Sequence, residues 1–172
     1  MMDSFWLRLD QGGRAALPAA TVVIAALLGA MVWPLPHFGS VMPPLALMAV
    51  YYWSLHRPDL LGSGMVFLVG LLNDVIHRLP LGVSALLFVG AHQILFRQRR
   101  FFAGHSFFMM WLGFIITVSA VIIAEWVLLS VLNWHVVPVL PVLVQLLFAI
   151  AFFPLPCLLL MRLQRLTLNA ES

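Results

Sequence analysis

The sequence predicts an all-α polytopic membrane protein of about six transmembrane helices with both termini in the cytoplasm. Three observations carry this. First, 63% of the 172 residues are hydrophobic and only 9% are charged, with a mean hydropathy of +1.07. A soluble domain runs at roughly 45–50% apolar and about 25% charged. Second, the apolar residues come in long uninterrupted runs, such as Phe148 to Phe153. A transmembrane β-barrel would instead alternate apolar and polar residues over segments of roughly 10. Third, the nine basic residues are all arginine, and they fall in the short gaps between runs. A soluble globular domain, a disordered tail and a secreted disulfide scaffold are thereby excluded. The length suits a single domain over residues 1–172.

The expected spans are 15–33, 41–55, 60–76, 81–96, 107–130 and 138–161. The first follows Arg8 and Arg14. At 19 residues it exceeds the apolar core of a cleaved signal peptide, about 7–15 residues, so it reads as a retained helix. The second, third and fourth are short against a spanning minimum near 17 residues. Short helices thin the bilayer or sit partly re-entrant behind others. Merging them differently gives five spans, the competing count. Prolines mark the joints: Pro34, Pro36, Pro43, Pro44, Pro58, Pro80, Pro138 and Pro141. Pro154 and Pro156 fall inside the sixth span instead. Each removes a backbone donor there, so a kink is expected. Cys157 has no second cysteine to pair with and is expected to pack as a small hydrophobe.

Arginine placement sets the orientation. With six spans, Arg8, Arg14, Arg57, Arg97, Arg99, Arg100, Arg162 and Arg165 lie on one side, and Arg78 alone on the other. The positive-inside rule puts the eight in the cytoplasm. The pI near 10 therefore points to anionic lipid headgroups, with no nucleic-acid groove to account for. Trp33, Trp53, Trp111 and Trp134 fall near span ends, as interfacial anchors do.

Ionisable groups within spans are functional suspects, because burying charge in lipid is costly. Asp74 lies about 21 Å along the third span and Glu125 about 27 Å along the fifth, both in the outer third. Arg78 follows Asp74 by four positions and shares its helix face. One reading joins Asp74, Arg78 and Glu125 in a polar cluster; the other lets each carboxylate snorkel to the headgroups. Asn73, Asp74, His92, Gln93, Glu125 and Gln145 are the groups that would have to converge to bind a small molecule. Asp74 and His77 are too few for a metal site. No nucleophile with a base, phosphate loop or serine elbow is present, so the chain reads as non-enzymatic, without cofactor or metal. Gly62 and Gly64 read as a close helix approach or a flexible helix start.

Within Met42 to Leu86, an ordered set of residues stands out: Pro44 leading the second span, Tyr52 and Trp53 ending it, Arg57 and Pro58 in the turn, then Gly70, Asp74 and Gly82. This set resembles the rod shape-determining protein MreD family, as does the C-terminal stretch from Pro154 to Arg165. Asn73 before the aspartate is a variation on the family pattern, and Glu125 maps to no landmark of it. The resemblance implies a bacterial inner-membrane subunit of the elongation complex. Its partner would be MreC, with MreB, RodA and a class B penicillin-binding protein as indirect partners in lateral peptidoglycan synthesis. It also implies a fold similar to the substrate-binding subunits of energy-coupling-factor vitamin transporters, and with it the alternative of a small-molecule-binding membrane subunit. Pro44, Tyr52, Trp53, Arg57, Gly70, Asp74, Arg78, Gly82 and Glu125 are the residues expected to contact a partner or to shape a helix junction. Gly70, Asp74 and Gly82 are expected to act at the junction of spans three and four.

Overall fold

The computed structural model describes residues 17–30, 43–102, 106–134 and 138–168. Arg8, Arg14, Trp33, Pro34 and Pro36 lie outside the described residues. All regular structure among the described residues is helical. The elements are α1 (Leu17–Gly29), α2 (Leu45–His56), α3 (Ser63–His77), α4 (Val83–Phe102), α5 (Phe107–Leu132), α6 (Val139–Phe152) and α7 (Pro154–Leu168). Among the described residues α5, with 26, is the one helix long and apolar enough to cross a bilayer unaided. The pair α6 and α7 reaches that length only across a bend of 41°.

The centre of the molecule is α2. Its 12 residues extend about 18 Å, well short of a hydrocarbon core about 30 Å thick. Residues Ala46 to Ser54 are buried without interruption. A helix apolar on every side belongs inside a protein rather than against water. Each polar group it buries has a partner on a different helix. Trp53 Nε1 donates to Thr21 Oγ1 of α1 at 2.9 Å, and Tyr51 Oη donates to the Met110 carbonyl of α5 at 2.8 Å. Tyr52 Oη donates to Gln164 Oε1 of α7 at 2.7 Å. Ser54 Oγ donates to Val50 O at 2.6 Å and lies 2.7 Å from His92 Nδ1 of α4. A hydroxyl has one proton to give, so His92 Nδ1–H is the donor in the second bond. These bonds offset the cost of taking polar groups out of water.

Trp53 therefore corrects an expectation. It is 0% exposed and tethers α2 to α1, where an interfacial anchor was expected. The indole N–H enters the core because Thr21 supplies its acceptor. Trp111 is likewise half-buried, while Trp134 stands 95% exposed at the end of α5.

The expected kink in the last span is a full break. Phe153 separates α6 from α7, and Pro154 and Pro156 fall in the first turn of the new helix, where a missing N–H is tolerated. Pro154 leaves the Ile150 carbonyl without its helical donor. Trp111 Nε1 takes that place, donating to Ile150 O at 3.2 Å. Phe153 itself is buried, stacked on Phe114 at 3.9 Å between centroids and edge-on to Tyr51 at 5.7 Å. Cys157 is buried next to it, 3.9 Å from Met110 Sδ.

Candidate functional site

Among the described residues, the most extensive helix–helix junction is that of α3 with α4. Val66, Gly70, Asn73 and Asp74 share one face of α3, at helical spacing. Gly70 lets the helices meet: a Cβ there would overlap Ala85 Cα and stand 2.7 Å from Ala85 N. Both are backbone atoms, so the neighbour cannot rotate away. Gly62 and Gly64, by contrast, have open space around them and carry no close approach.

One turn beyond Gly70, Asp74 caps the neighbouring helix. The residue is 0% exposed. Its Oδ2 accepts the Gly82 N–H at 2.8 Å and its Oδ1 accepts the Ser84 N–H at 2.9 Å. The start of a helix leaves its first N–H groups unpaired and carries partial positive charge, and a carboxylate answers both. Asn73 Nδ2 adds a bond to Ser84 Oγ at 3.1 Å. Gly82 holds φ +102, a conformation that suits a residue without Cβ.

Arg78 does not pair with Asp74, contrary to the shared-face expectation. The helix ends between them. Arg78 sits in the left-handed region at φ 56, ψ 35, and Leu79 N–H closes the turn on Asp74 O at 2.9 Å. That reversal carries the exposed Arg78 side chain away from the buried carboxylate. Snorkelling of Asp74 is overturned as well, since α4 supplies its donors.

Beside the junction lies a cleft of about 360 Å³. Pro44, Asn73, His77, Glu125 and Gln145 are in its wall. Glu125 is half-buried there. The cleft thus gathers Asn73, Glu125 and Gln145 from the expected polar set. His92 is buried on Ser54 instead, and Gln93 is exposed with Ser63 Oγ 2.9 Å away. Among the described residues, no three His, Cys, Asp or Glu side chains group as metal ligands do.

The nine candidate residues thus divide between the two ends of the bundle. Pro44, Gly70, Asp74, Arg78, Gly82 and Glu125 belong to the junction and cleft. Tyr52, Trp53 and Arg57 sit at the other end, the first two buried and the third an exposed residue closing α2. Ser84 and Ala85 were missed as junction residues. Their residue types carry no signal for that role, which comes from the approach of α3 at Gly70 and Asp74.

The described residues thus form a helical bundle around the buried α2, with a capped junction between α3 and α4. The family model described as rod shape-determining protein MreD matches residues 12–163, and the chain belongs to that family. It is a membrane protein with a role in determining rod shape. No curated protein and no solved structure matches the chain significantly.

Proposed function

We propose that this chain is a multi-pass, non-catalytic subunit of the cell-elongation complex in the bacterial inner membrane. It pairs with MreC and helps to organise lateral peptidoglycan synthesis, with MreB, RodA and a class B penicillin-binding protein as indirect partners. The family match over residues 12–163 carries the reading. Both termini are cytoplasmic, the chain crosses six times as one domain, and the arrangement is similar to that of energy-coupling-factor substrate-binding subunits. The periplasmic end is the one bearing Arg78 and the cleft. Gly70, Asp74 and Gly82 hold its shape, while Pro44, Arg78 and Glu125 are the residues within reach of MreC. Depletion in the native cell tests the function: rods should round into spheres. A rod-shaped population after complete depletion would remove the reading.

The cleft favours one second reading. Its volume of about 360 Å³ falls at the lower end of the roughly 300–1,000 Å³ of small-molecule sites. A binding subunit would carry a stoichiometric small molecule through purification and leave MreC behind. The elongation subunit would bring MreC with it.

A further inference from the structure

A second concavity lies at the opposite side of α4, away from the cleft and the junction. It is a groove of about 400 Å³ between α4 and α5. On α4 it runs from Leu86 through Gly90 and Ile94 to Gln98, and Gly113, Thr117 and Ala120 of α5 form the facing wall. Thr117 turns its hydroxyl into its own helix, donating to Gly113 O at 2.8 Å. The wall is therefore apolar except at the Gln98 end.

That end is also where positive charge collects. Arg97 and Arg100 are exposed on the last turns of α4. Arg99 is engaged, 3.4 Å from Asp59 and stacked 4.5 Å over the Phe96 ring. The other described carboxylates, Asp74 and Glu125, belong to the far end of the bundle. Arg97 and Arg100 thus have no carboxylate partner among the described residues. Arg97 also continues the line of Leu86 and Gly90 along the helix surface, so it flanks the groove rather than opposing it.

The groove is apolar along its length and has Gln98 at one end, with Arg97 and Arg100 on the same last turns of α4. An apolar groove beside two guanidinium groups that have no carboxylate partner among the described residues matches one ligand chemistry, an acyl chain with an anionic head. Guanidinium pairs with phosphate through two parallel hydrogen bonds.

The geometry points to a bound anionic phospholipid, with an acyl chain lying in the α4–α5 groove and its phosphate held by Arg97 and Arg100. The site recognises lipid charge at one end and chain shape along the rest.

Native mass spectrometry of the full-length, delipidated protein in mild detergent tests this. Dioleoyl phosphatidylglycerol and dioleoyl phosphatidylcholine are offered at equal concentration. The phosphatidylglycerol adduct should be favoured roughly thirtyfold, the scale that two interfacial arginines supply. The double substitution Arg97→Gln, Arg100→Gln should bring that ratio near one. Gly90→Leu should remove the adduct altogether, although it alters no charge; a Cβ at Gly90 meets nothing within 4 Å, and the longer side chain extends from a residue that lines the groove. Ala120→Leu fills the same groove from α5 and serves where Gly90→Leu does not fold. Equal retention of both lipids by the unsubstituted chain overturns the proposal. So does a phosphatidylglycerol adduct undiminished by both leucine substitutions, which would mean surface attraction without a groove site. A partner helix crosslinking to a cysteine at position 90, with no lipid adduct, overturns it in favour of protein.

Discussion

At the scale of single residues, Asp74 is the side chain on which the junction turns. It accepts two N–H groups that α4 cannot pair internally. Asp74→Ala strands both and removes the negative charge at that helix start. The cost of an unsatisfied buried donor is about 1–3 kcal/mol, so the variant should melt several degrees lower in detergent. Asp74→Asn keeps one acceptor and should fall between. An unchanged melting temperature for Asp74→Ala would show that α4 does not depend on the cap. That Asp74 matters was legible from the sequence, because a carboxylate within an apolar run demands a partner. Which partner was not. Its donors are backbone N–H groups eight and ten positions later, invisible to any pattern of side chains, whereas helical spacing pointed to Arg78. The spacing fails because α3 terminates at that residue. Arg78 also holds a left-handed conformation that costs an L side chain roughly 1–2 kcal/mol. Arg78→Gly should therefore raise thermal stability. If Arg78 contacts MreC, the same variant should lower co-purification of MreC, a combination that a purely structural role does not produce.

At the scale of helices, the glycines separate close packing from open surface. Gly70→Ala forces α3 and α4 apart against the Ala85 backbone, an overpacking cost of about 1–3 kcal/mol. Gly90→Ala, on the neighbouring helix, meets open space and should stabilise α4 by up to about 1 kcal/mol through helix propensity. Thermal unfolding of the pair should move in opposite directions; a shared direction would contradict the packing. The family resemblance marked Gly70, four positions before Asp74, whereas the residues alone offered Gly62 and Gly64 for a close approach or a flexible helix start. Only the crossing of the two helices distinguishes them. The α6–α7 break was partly legible. Two prolines announce a disturbance, and the sequence cannot say that Trp111 from α5 will bond the carbonyl freed by Pro154. Trp111→Phe keeps the ring and deletes that bond. It should cost about 0.5–1.5 kcal/mol, the net worth of a hydrogen bond to a part-buried acceptor.

At the scale of the whole molecule, charge is sorted by end. The bonds of Trp53 to Thr21, Tyr52 to Gln164 and Arg99 to Asp59 gather the start of α1 and the ends of α2, α4 and α7 at one pole. Arg57, Arg97, Arg99, Arg100 and Arg162 belong to that pole. Arg78, Asp74 and Glu125 belong to the other. Hydropathy foretold a helical protein. It could not see that α2 is enclosed by its neighbours, because a helix facing protein and a helix facing lipid have the same composition. Orientation rests on the arginines instead. Single cysteines at Arg57 and Arg78 should therefore react from opposite sides. A membrane-impermeant maleimide applied to intact spheroplasts should label Arg78→Cys and spare Arg57→Cys until the cells are lysed. Native Cys157 is 1% exposed and should stay silent in both. Labelling of both sites before lysis would put the two turns on the same face and break the six-crossing arrangement. Labelling of Arg57→Cys alone would invert it, moving the cleft and the Asp74 cap to the cytoplasmic side, away from any periplasmic part of MreC.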